Sequence, residues 1–576
     1  MVEVQETQHA FLVAWGWFAD QIGLVKAIEN VELEQKPYTH TPQRKVLEFL
    51  VGNLSGIKHM QEISRSAHPL DLDVAVASAW GQEKWADYSG VSRTLSSLSW
   101  DEVHRLVGAL DQVSQPFLQA ELDTIRTQKK RLRYDGDLTG IPVSNTSRTY
   151  PNAAYGHMDD EIRLGYQAGV VSLLSETVGR IWLSTTHLPG DTVSCTQAEG
   201  LVLAAEAKTG LRPKRRTELL VQRIQSHEKQ VDITQKRSLT QQSTVATAQD
   251  RVAEAYQEVE ERQKAVQEWE LEYHTRQRQE RPTSQLALAR KRCQAAEHRG
   301  KSRTKAFQLA QKRLEKTQVI LSEQQTELGR LKDRLGRFEQ ENQANRQVVE
   351  AEFRLDAGFG TYENIALLIE MGYEIYTKAH NHRLVMSLKN KTTSETVWER
   401  VGANAEMIGW KGMSLKHCPY PLDVGLERFY TGQALKHSAL LHSGEDPVTT
   451  ILPEWFQKYN GRQMIEAGIK ESKQIFSLHK IKVRSEPAIY LQEAFVLFAA
   501  NFIRWASHWL ANRSDPSPEA LKIEKLGVKR QVQVGAHVSA QVIHGSEGKF
   551  LRFSENSAFA GKVLRFPVSS LPGSFI

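Results

Sequence analysis

The first 125 residues carry apolar positions at the spacing of a helix. Between Gln43 and Leu54 these positions recur every three or four residues, so this stretch is predicted as one helix. Ser99 and Glu102 have the spacing of a capping box, which predicts the start of another helix. A turn at Gly90 would precede a further short helix, an arrangement that suits a helix-turn-helix and an ordinary helical bundle about equally.

Two blocks of alternating or continuous apolar residues predict a β-sheet. The first block contains three predicted strands, at 133–140, where the strand ends in a Gly turn, and at 165–174 and 179–186. The second block contains a strand that ends at Asp356, a helix over 362–371 and a strand over 372–379. Strands that alternate with helices in this way predict an α/β domain.

The two blocks are separated by a long stretch of a different character. From 220 to 349, Gln, Glu, Lys, Arg and Ala dominate, and apolar positions recur at intervals of three and four. Pro282 interrupts this pattern at its centre. Two arms of about 60 residues that meet at such a turn predict an antiparallel coiled-coil hairpin roughly 90 Å long. We expect it to interrupt the sheet domain within its first helix, near 217–220.

The rest of the chain is predicted as a mixture of strands and helices. Residues 383–450 alternate and contain Trp398 and Trp410, which predicts a β-rich insertion. Residues 488–510 are apolar enough for a long buried helix, and the alternation over 527–566 predicts a small β-rich C-terminal piece.

Composition narrows the class of protein only slightly. The 576 residues are too many for one ordinary core, and 40% hydrophobic residues suffice for several. Lys and Arg outnumber Asp and Glu by 74 to 68, so any affinity for nucleic acid must come from local patches. The cysteines Cys195, Cys293 and Cys418 have no metal-ligand spacing and indicate a reducing compartment. Without a signal pattern, and with Asn501 and Arg504 in the most apolar stretch, we expect no membrane partner and a cytoplasmic location.

A local patch of positive charge is predicted on the second arm of the hairpin. Over 284–316, ten cations face only Glu297 and Glu315. This excess is larger than a solvated helix requires and predicts contact with DNA phosphates, with self-association as the rival explanation. The candidate DNA-binding residues on this arm are Arg290, Lys291, Arg292, Lys301 and Arg303.

A predicted helix in the C-terminal third carries several charged groups on one side. Tyr459, Arg462, Glu466, Lys470 and Lys473 fall at steps of three and four without an intervening Pro. A carboxylate on this face can hold a divalent metal ion, and cations with a phenol hydroxyl can hold phosphate. A solvated face with ordinary ion pairs is the simpler alternative.

Further carboxylates lie where predicted strands end. Asp135 and Asp137 are two residues apart and would point to the same face of the first strand. Asp356 ends the strand that follows the hairpin, and open α/β sheets form their sites at the carboxyl ends of strands. A solvated loop at Asp135 and Asp137, and a helix cap at Asp356, are the structural alternatives.

These residues together resemble a known family. The spacing Tyr-x2-Arg-x3-Glu-x6-Lys over 459–473 resembles the YREK signature of DDE transposases of the insertion-sequence-four superfamily, and it matches at all four positions. Asp137-x-Thr139 resembles the first Asp motif of that family, with Asp135 as the alternate. Arg354-x-Asp356-x-Gly-Phe resembles the second. The resemblance covers roughly 130–220 and 348–511, and the long hairpin departs from simpler members.

The resemblance implies an RNase H-like catalytic domain whose first three strands are antiparallel neighbours. In it, Asp137, Asp356 and Glu466 would bind two Mg²⁺ or Mn²⁺ ions, with Asp135 as the alternate first ligand. Such a pair of ions serves an in-line phosphoryl transfer, here the cleavage and strand transfer of DNA.

The same resemblance implies how DNA is held. Tyr459, Arg462 and Lys473 would bind phosphates of the transposon end, and Trp398 or Trp410 would stack on a displaced base. The N-terminal region, with Arg93 as its candidate residue, would bind the transposon end. The partners would be double-stranded transposon-end and target DNA, bound by a homodimer or larger oligomer.

We therefore expect an α/β protein with an RNase H-like mixed sheet, interrupted by a long antiparallel coiled-coil hairpin. The implied function is a DNA transposase of the cytoplasm and nucleoid. A non-catalytic architectural DNA-binding protein and a two-metal nuclease without strand transfer are the alternatives. The predicted domains are an all-α DNA-binding region at 1–125, a catalytic domain in three parts at 126–219, 350–382 and 451–513, the coiled coil at 220–349, the β-rich insertion at 383–450 and a small β-rich C-terminal region at 514–576.

Overall fold

A computed structural model describes residues 3–36, 39–144, 150–158, 161–445, 451–511, 519–545 and 548–567. The described chain is a mixed α/β protein with a mixed sheet and a long pair of helices. It divides into two compact units, one formed by 1–214 with 346–576 and the other by 215–345. No helix within these described ranges is long and apolar enough to cross a membrane. The predicted boundary at 513–514 lies outside the described residues.

The N-terminal region is helical apart from one strand. Its elements are β1 (Glu3–Thr7), α1 (Ala10–Gln21), α2 (Leu24–Glu29), α3 (Pro42–Leu54), α4 (Glu62–Arg65), α5 (Val74–Ala79), α6 (Tyr88–Ser96) and α7 (Trp100–Thr127). The predicted helix at 43–54 and the capping box of α7 are confirmed, since Ser99 N donates to Glu102 Oε2 and Glu102 N donates to Ser99 Oγ. The turn predicted at Gly90 is wrong. Gly90 lies inside α6, because the Asp87 carboxylate accepts its amide at 2.7 Å and caps the helix earlier.

The first sheet block follows directly. Its elements are β2 (Leu132–Pro142), β3 (Ala154–Met158), β4 (Glu161–Ser175), β5 (Gly179–Pro189) and α8 (Ala198–Thr209). β4 pairs antiparallel with β2 and with β5, so the three expected strands are neighbours. β3 is an additional strand that the alternation did not reveal. The Gly turn predicted for the end of the first strand is wrong, because pairing with β4 carries β2 on to Pro142.

The second unit consists of two long helices, α9 (Thr217–Thr275) and α10 (Gln285–Ala344). Ion pairs join the start of each helix to the end of the other: Arg215 contacts Glu341, and Arg290 contacts Glu270. The two helices are therefore antiparallel. The Ser284 hydroxyl accepts the Ala287 amide and caps α10 just after the Pro-containing turn.

The long helices begin at Thr217, at the predicted position, but the prediction that they interrupt the first helix of the sheet block is wrong. α8 ends at Gly210, whose φ of +68° is the left-handed conformation that glycine favours at helix ends. The helix pair begins after that end, so it follows the first helix of the sheet block and does not interrupt it.

The chain then returns to the first unit. Its next elements are β6 (Ala351–Arg354), a 3₁₀ turn (Ala357–Phe359), α11 (Tyr362–Glu370), β7 (Glu374–Lys378), α12 (His382–Lys389), β8 (Glu399–Arg400), β9 (Ala405–Met413), β10 (Leu422–Thr431) and β11 (Ala434–Ser443). The predicted succession of strand, Asp356, turn, helix and strand is confirmed.

Within the described residues, the strands of both blocks form one ten-stranded sheet. Its order is β3-β4-β2-β6-β7-β11-β10-β9-β8, and β5 also pairs with β4. β6 is parallel to both β2 and β7, and the other pairings are antiparallel. The β-rich stretch predicted as a separate insertion therefore continues the main sheet, because β11 pairs with β7.

The C-terminal part supplies helices that pack against the ten-stranded sheet and strands that complete a second sheet. Its elements are α13 (Leu452–Asn460), α14 (Gln463–Gln474), α15 (Glu486–Ala511), α16 (Val528–Gln533), β12 (Ala540–Gly545), β13 (Gly548–Phe553) and β14 (Val563–Pro567). The long buried helix is confirmed as α15, which packs on β5, α3 and α7. The alternation over 527–566 predicts β12 to β14 correctly but is wrong over α16. β1 pairs with β12, so the four-stranded sheet joins residues from both ends.

Candidate active site

Two predicted carboxylates lie in the same region because neighbouring parallel strands differ in length. The register pairs Asp135 of β2 with Arg354, the last residue of β6. β2 runs on beyond this point, so Asp137 lies past the end of β6, where the chain continues to Asp356. The charge of Asp356 is close enough to affect the pKa of Asp137.

Asp135, the alternate metal ligand, is held in a buried ion pair. Arg354 Nε and Nη2 donate to its two carboxylate oxygens at 2.6 and 2.7 Å, and both residues are 1% exposed. A bidentate pair of this kind ties β2 firmly to β6. Asp135 therefore has a buried structural partner, whereas Asp137 accepts a hydrogen bond from Arg462, which lines the cleft.

The helix predicted over the YREK stretch is in fact two helices that meet at Gly461 and Arg462. In a continuous helix the Lys458 carbonyl would accept the Arg462 amide. Here it accepts Nη1 of Arg354 at 2.8 Å, and the Arg462 amide donates to the Tyr459 carbonyl at 2.9 Å. A Cβ on Gly461 would lie 2.5 Å from the same Nη1, so a glycine leaves the room that this contact needs.

The Arg462 guanidinium lies between two of the predicted metal ligands. Its Nη1 donates to Asp137 Oδ2 at 3.1 Å, and its Nη2 donates to Glu466 Oε1 at 2.5 Å. Burial alone would lower the pKa of Arg462, but Asp137, the Tyr459 hydroxyl and the two other carboxylates outweigh it and raise that pKa. The guanidinium thus supplies the positive charge at the point where the carboxylates converge.

The ionisation of Asp137 depends on that positive charge. Burial raises the pKa of Asp137, Arg462 lowers it and Asp356 raises it, and together they bring it to about 6. A carboxylate that burial disfavours as an anion gains from any cation placed beside it.

The three predicted metal ligands are of a type that suits a hard cation, but their present positions do not form a metal site. Asp137, Asp356 and Glu466 offer only carboxylate oxygens, which are the ligands that Mg²⁺ and Mn²⁺ prefer. As the side chains stand, no three Asp, Glu, His or Cys groups of the described chain are close enough together to hold a metal ion. Metal binding at these residues requires Arg462 to move out from between Asp137 and Glu466.

A cleft of about 280 Å³ is lined by three of the four signature residues, Tyr459, Arg462 and Glu466. Asp356 and Lys378 also line it. Tyr459 is anchored in the hydrophobic cluster beneath α13, and burial raises its pKa to about 12. Its hydroxyl therefore stays protonated near neutral pH and can donate a hydrogen bond.

Lys378 is a cleft residue that the sequence patterns did not single out. Its Nζ lies 5.5 Å from the centre of the Tyr459 ring and 3.4 Å from Glu427 Oε2. It is the last residue of β7, the neighbour of the strand that leads to Asp356. A cation at the carboxyl end of the adjacent parallel strand was the available signal.

Lys473, the fourth signature residue, does not line this cleft. It lines a neighbouring cavity of about 760 Å³, together with Leu138, Tyr155, Ile162 and Gly358. The signature therefore spans two adjoining spaces.

Neither base-stacking candidate faces the cleft. On β10, Gly425 faces α13, and strand alternation therefore turns Val424 and Arg428 to the opposite face. Trp410 pairs with Val424, and the Arg428 guanidinium lies 4.2 Å from the centre of the Trp398 ring. Both tryptophans thus lie on the far side of the sheet.

The remaining DNA-binding candidates are not among the residues that line the cleft. Arg93 is exposed on α6, where its Nε donates to the Ser89 carbonyl. On α10, Arg290 is paired with Glu270 and Glu280 of the same unit. Four other candidates on this helix are exposed and take part in no ion pair among the described residues: Lys291, Arg292, Lys301 and Arg303.

The sequence matches no known protein-family model, and a comparison with curated proteins finds no similar sequence.

Proposed function

We propose that this protein is a DNA transposase that cleaves and joins DNA at the cleft formed by Asp137, Asp356 and Glu466. The observation that carries the proposal is that Arg462 and the charges around it bring together carboxylates from the middle of β2, from the end of β6 and from α14. Arg462, which is 325 residues from Asp137 along the chain, bonds to both Asp137 and Glu466. Residues so distant in sequence, and of the types that phosphoryl transfer needs, meet in one place.

The topology supports an RNase H-like catalytic domain. β5-β4-β2 are antiparallel neighbours, and β2 continues through β6 to β7 in parallel. The inserted helices support a coiled coil, because the buried positions Leu220, Ile224 and Val231 of α9 are spaced by four and by seven residues.

Different residues of the cleft would bind the metal ions and the DNA phosphates. Asp137, Asp356 and Glu466 would hold two Mg²⁺ or Mn²⁺ ions, which supply an activated oxygen nucleophile and stabilise the leaving oxygen. Arg462, released from the carboxylates, would pair with a phosphate of the bound DNA. The protonated Tyr459 hydroxyl would donate a hydrogen bond to a phosphate oxygen, and Lys378 would add positive charge beside it.

DNA and a second copy of the chain are the partners in this proposal. The exposed cations of α10 support contact with the phosphate backbone, since no acidic side chain in the described ranges pairs with them. A homodimer or larger assembly on paired transposon ends, in the cytoplasm and nucleoid, belongs to the same proposal.

One observation favours a second candidate, a non-catalytic DNA-binding protein. Arg462 already neutralises Asp137 and Glu466, as a structural ion pair would in a protein that needs no metal. The two candidates differ in whether Mg²⁺ displaces this guanidinium when DNA is bound.

Cleavage of a duplex that carries the ends of the element tests the proposal. We expect wild type to cut it in Mg²⁺ or Mn²⁺, and Asp137→Asn or Glu466→Gln to lose at least roughly a hundredfold in rate while still binding the duplex. Glu454→Gln, an exposed acid on α13, is the matched control and should cut normally. Binding without cutting by wild type would favour the non-catalytic protein. Cutting without strand-transfer products would identify a nuclease.

A further inference from the structure

A buried arginine beneath α14 has no partner for its charge. Arg180 of β5 is 5% exposed; its Nη2 has no hydrogen-bond partner among the described residues, and its guanidinium takes part in no ion pair with them. Burial lowers the pKa of Arg180 to about 10, so the group is still charged at neutral pH. A buried charge that lacks a partner is costly, and buried charges in proteins are therefore paired.

Three further polar atoms near Arg180 also lack partners. Trp182 Nε1, Ser172 Oγ and Ser472 Oγ are buried and take part in no hydrogen bond within the described ranges. Trp182 lies two residues from Arg180 on β5, and Ser172 of β4 pairs with Trp182 across the sheet. Strand alternation therefore puts these three side chains on one face of the sheet.

This face is covered by α14. A Cβ on Gly468 would collide with Arg180 Nη1 and would lie 2.8 Å from Trp182 Cζ2, so α14 packs directly on these two side chains. Ser472 follows Gly468 by four residues and therefore lies on the same side of the helix. The unpartnered atoms thus come from β4, β5 and α14, and they form an enclosed polar layer.

The charges around Arg180 do not neutralise it. The four charged groups with the largest effects on its pKa form two ion pairs, Arg354 with Asp135 and Arg504 with Glu471. Three guanidinium groups therefore face two carboxylates, and one positive charge is left over. A water molecule would supply a hydrogen-bond acceptor without a charge, whereas an anion supplies both.

We propose that the polar layer formed by Ser172, Arg180, Trp182 and Ser472 binds a small monatomic anion, of which chloride is the abundant example. The guanidinium, the indole N–H and both hydroxyls can all donate hydrogen bonds to it. Bound between β5 and α14, the anion would hold the helix that carries Glu466 against the sheet. The inference does not rest on the proposed function, since none of the four residues lines the cleft.

Anomalous diffraction from crystals grown in sodium bromide tests the site, because bromide can replace chloride and scatters anomalously. We expect an anomalous peak within hydrogen-bonding distance of Arg180 Nη2 in wild type and none in Arg180→Met. Arg484→Met, which removes an exposed arginine, is the matched control and should retain the peak. Density for water at this place, without an anomalous peak, would overturn the proposal.

Thermal unfolding measures whether the anion binds in solution. Sodium chloride replaces sodium gluconate at constant ionic strength, from about 5 to about 500 mM, and the unfolding midpoint is recorded. We expect the midpoint of wild type and of Arg484→Met to rise by about 1–3 °C more than that of Arg180→Met, because only the folded site binds chloride. A bromide peak without this difference would indicate an adventitious ion only and would reject the proposal.

Two milder variants keep the test decisive if Arg180→Met does not fold. Trp182→Phe and Ser472→Ala each remove one donor and leave the charge of Arg180 in place. A hydrogen bond to a charged group contributes enough that each variant should bind chloride about tenfold more weakly than wild type. The same rise of the midpoint with chloride in both variants as in wild type would contradict the site.

Discussion

Arg462 is the residue on which the state of the candidate site depends. It takes the place of a cation between Asp137 and Glu466, and in the proposed enzyme it must exchange this role for one on phosphate. One side chain would then couple DNA binding to metal binding, because DNA phosphate draws the guanidinium away and frees the carboxylates.

Removing this guanidinium should help metal binding in the absence of DNA. In Arg462→Gln, Asp137 and Glu466 lose a competing positive charge, so we expect Mn²⁺ to bind at least about tenfold more tightly than in wild type. Calorimetric titration with Mn²⁺ measures this. Arg484→Gln, an exposed arginine away from the cleft, should leave the affinity unchanged. Equal affinities in wild type and Arg462→Gln would show that the guanidinium does not compete with metal.

Glu48 makes stability depend on pH. Burial raises its pKa to about 9, and its Oε2 accepts the Ala86 amide at 2.9 Å. The native state therefore binds more protons than the unfolded state between the ordinary pKa of 4.5 and about 9, so the free energy of unfolding falls as pH rises through this window.

Glu48→Gln should remove this slope, because the amide oxygen can accept the same hydrogen bond without ionising. Urea unfolding at pH 5 and pH 7 measures it, and we expect the wild type to lose about 2–3 kcal/mol more than the variant between these values. Lys482 has the opposite slope, because burial lowers its pKa to about 7, but its contribution changes only above that pH. Parallel slopes in both proteins would mean that Glu48 is not the titrating group.

Strand alternation alone does not decide which of two neighbouring carboxylates belongs to the proposed site, and only the family resemblance favours Asp137. Asp135 and Asp137 point to the same face of one strand, so alternation treats them alike. The two residues differ because β6 ends at Arg354. The Arg354 guanidinium pairs with Asp135, its neighbour in the sheet, and not with Asp137. By contrast, the position of Asp356 at a strand end was readable, because strand, turn and helix signals follow one another without a gap.

At the scale of elements, the bend between α13 and α14 determines which signature residues line the same cleft. The pattern over 459–473 predicted one helix, since helical spacing is continuous and no Pro intervenes. The bend comes from a tertiary contact, the Arg354 guanidinium on the Lys458 carbonyl, which has no local sequence signal. The same contact links the buried Asp135–Arg354 pair to the helices that carry Tyr459 and Glu466.

A side chain at Gly461 should break this link. In Gly461→Ala the new methyl group would collide with Arg354 Nη1, so we expect a loss of about 1–3 kcal/mol in the free energy of unfolding together with reduced DNA cleavage. Gly329→Ala on α10 is the control, because its Cβ meets no atom and a helical alanine should stabilise by about 0.5–1 kcal/mol. An unchanged unfolding energy in Gly461→Ala would show that the contact is dispensable.

At the scale of the whole molecule, the succession of elements was largely predictable and the pairing of strands was not. The long helices were readable because their periodic pattern extends over many turns. β3 was missed because it is short, and the joining of residues 383–450 to the main sheet was missed because strand partners far apart in sequence leave no local pattern.

The exposed cations of α10 should control how DNA binding responds to salt. Changing Lys291, Arg292, Lys301 and Arg303 together to Gln removes four unpaired charges. If each contacts a phosphate, the slope of log K against log salt should fall by about 3–4. The control changes four cations paired within α9, Arg262, Lys236, Lys264 and Arg276, and should leave the slope near that of wild type. An unchanged slope in the first variant would assign the basic arm to self-association.

The pairing of β1 with β12 has a consequence for biosynthesis. Glu3–Thr7 leaves the ribosome long before its partner Ala540–Gly545, which is made more than five hundred residues later. At ordinary translation rates of about 5–20 residues per second, the first strand waits roughly half a minute or longer for its place in the sheet. Until then its edge is open, and ribosome-bound chains stalled before residue 540 should be cut by protease near β1 where released chains are not. The completion of this sheet thus reports that translation has passed residue 540.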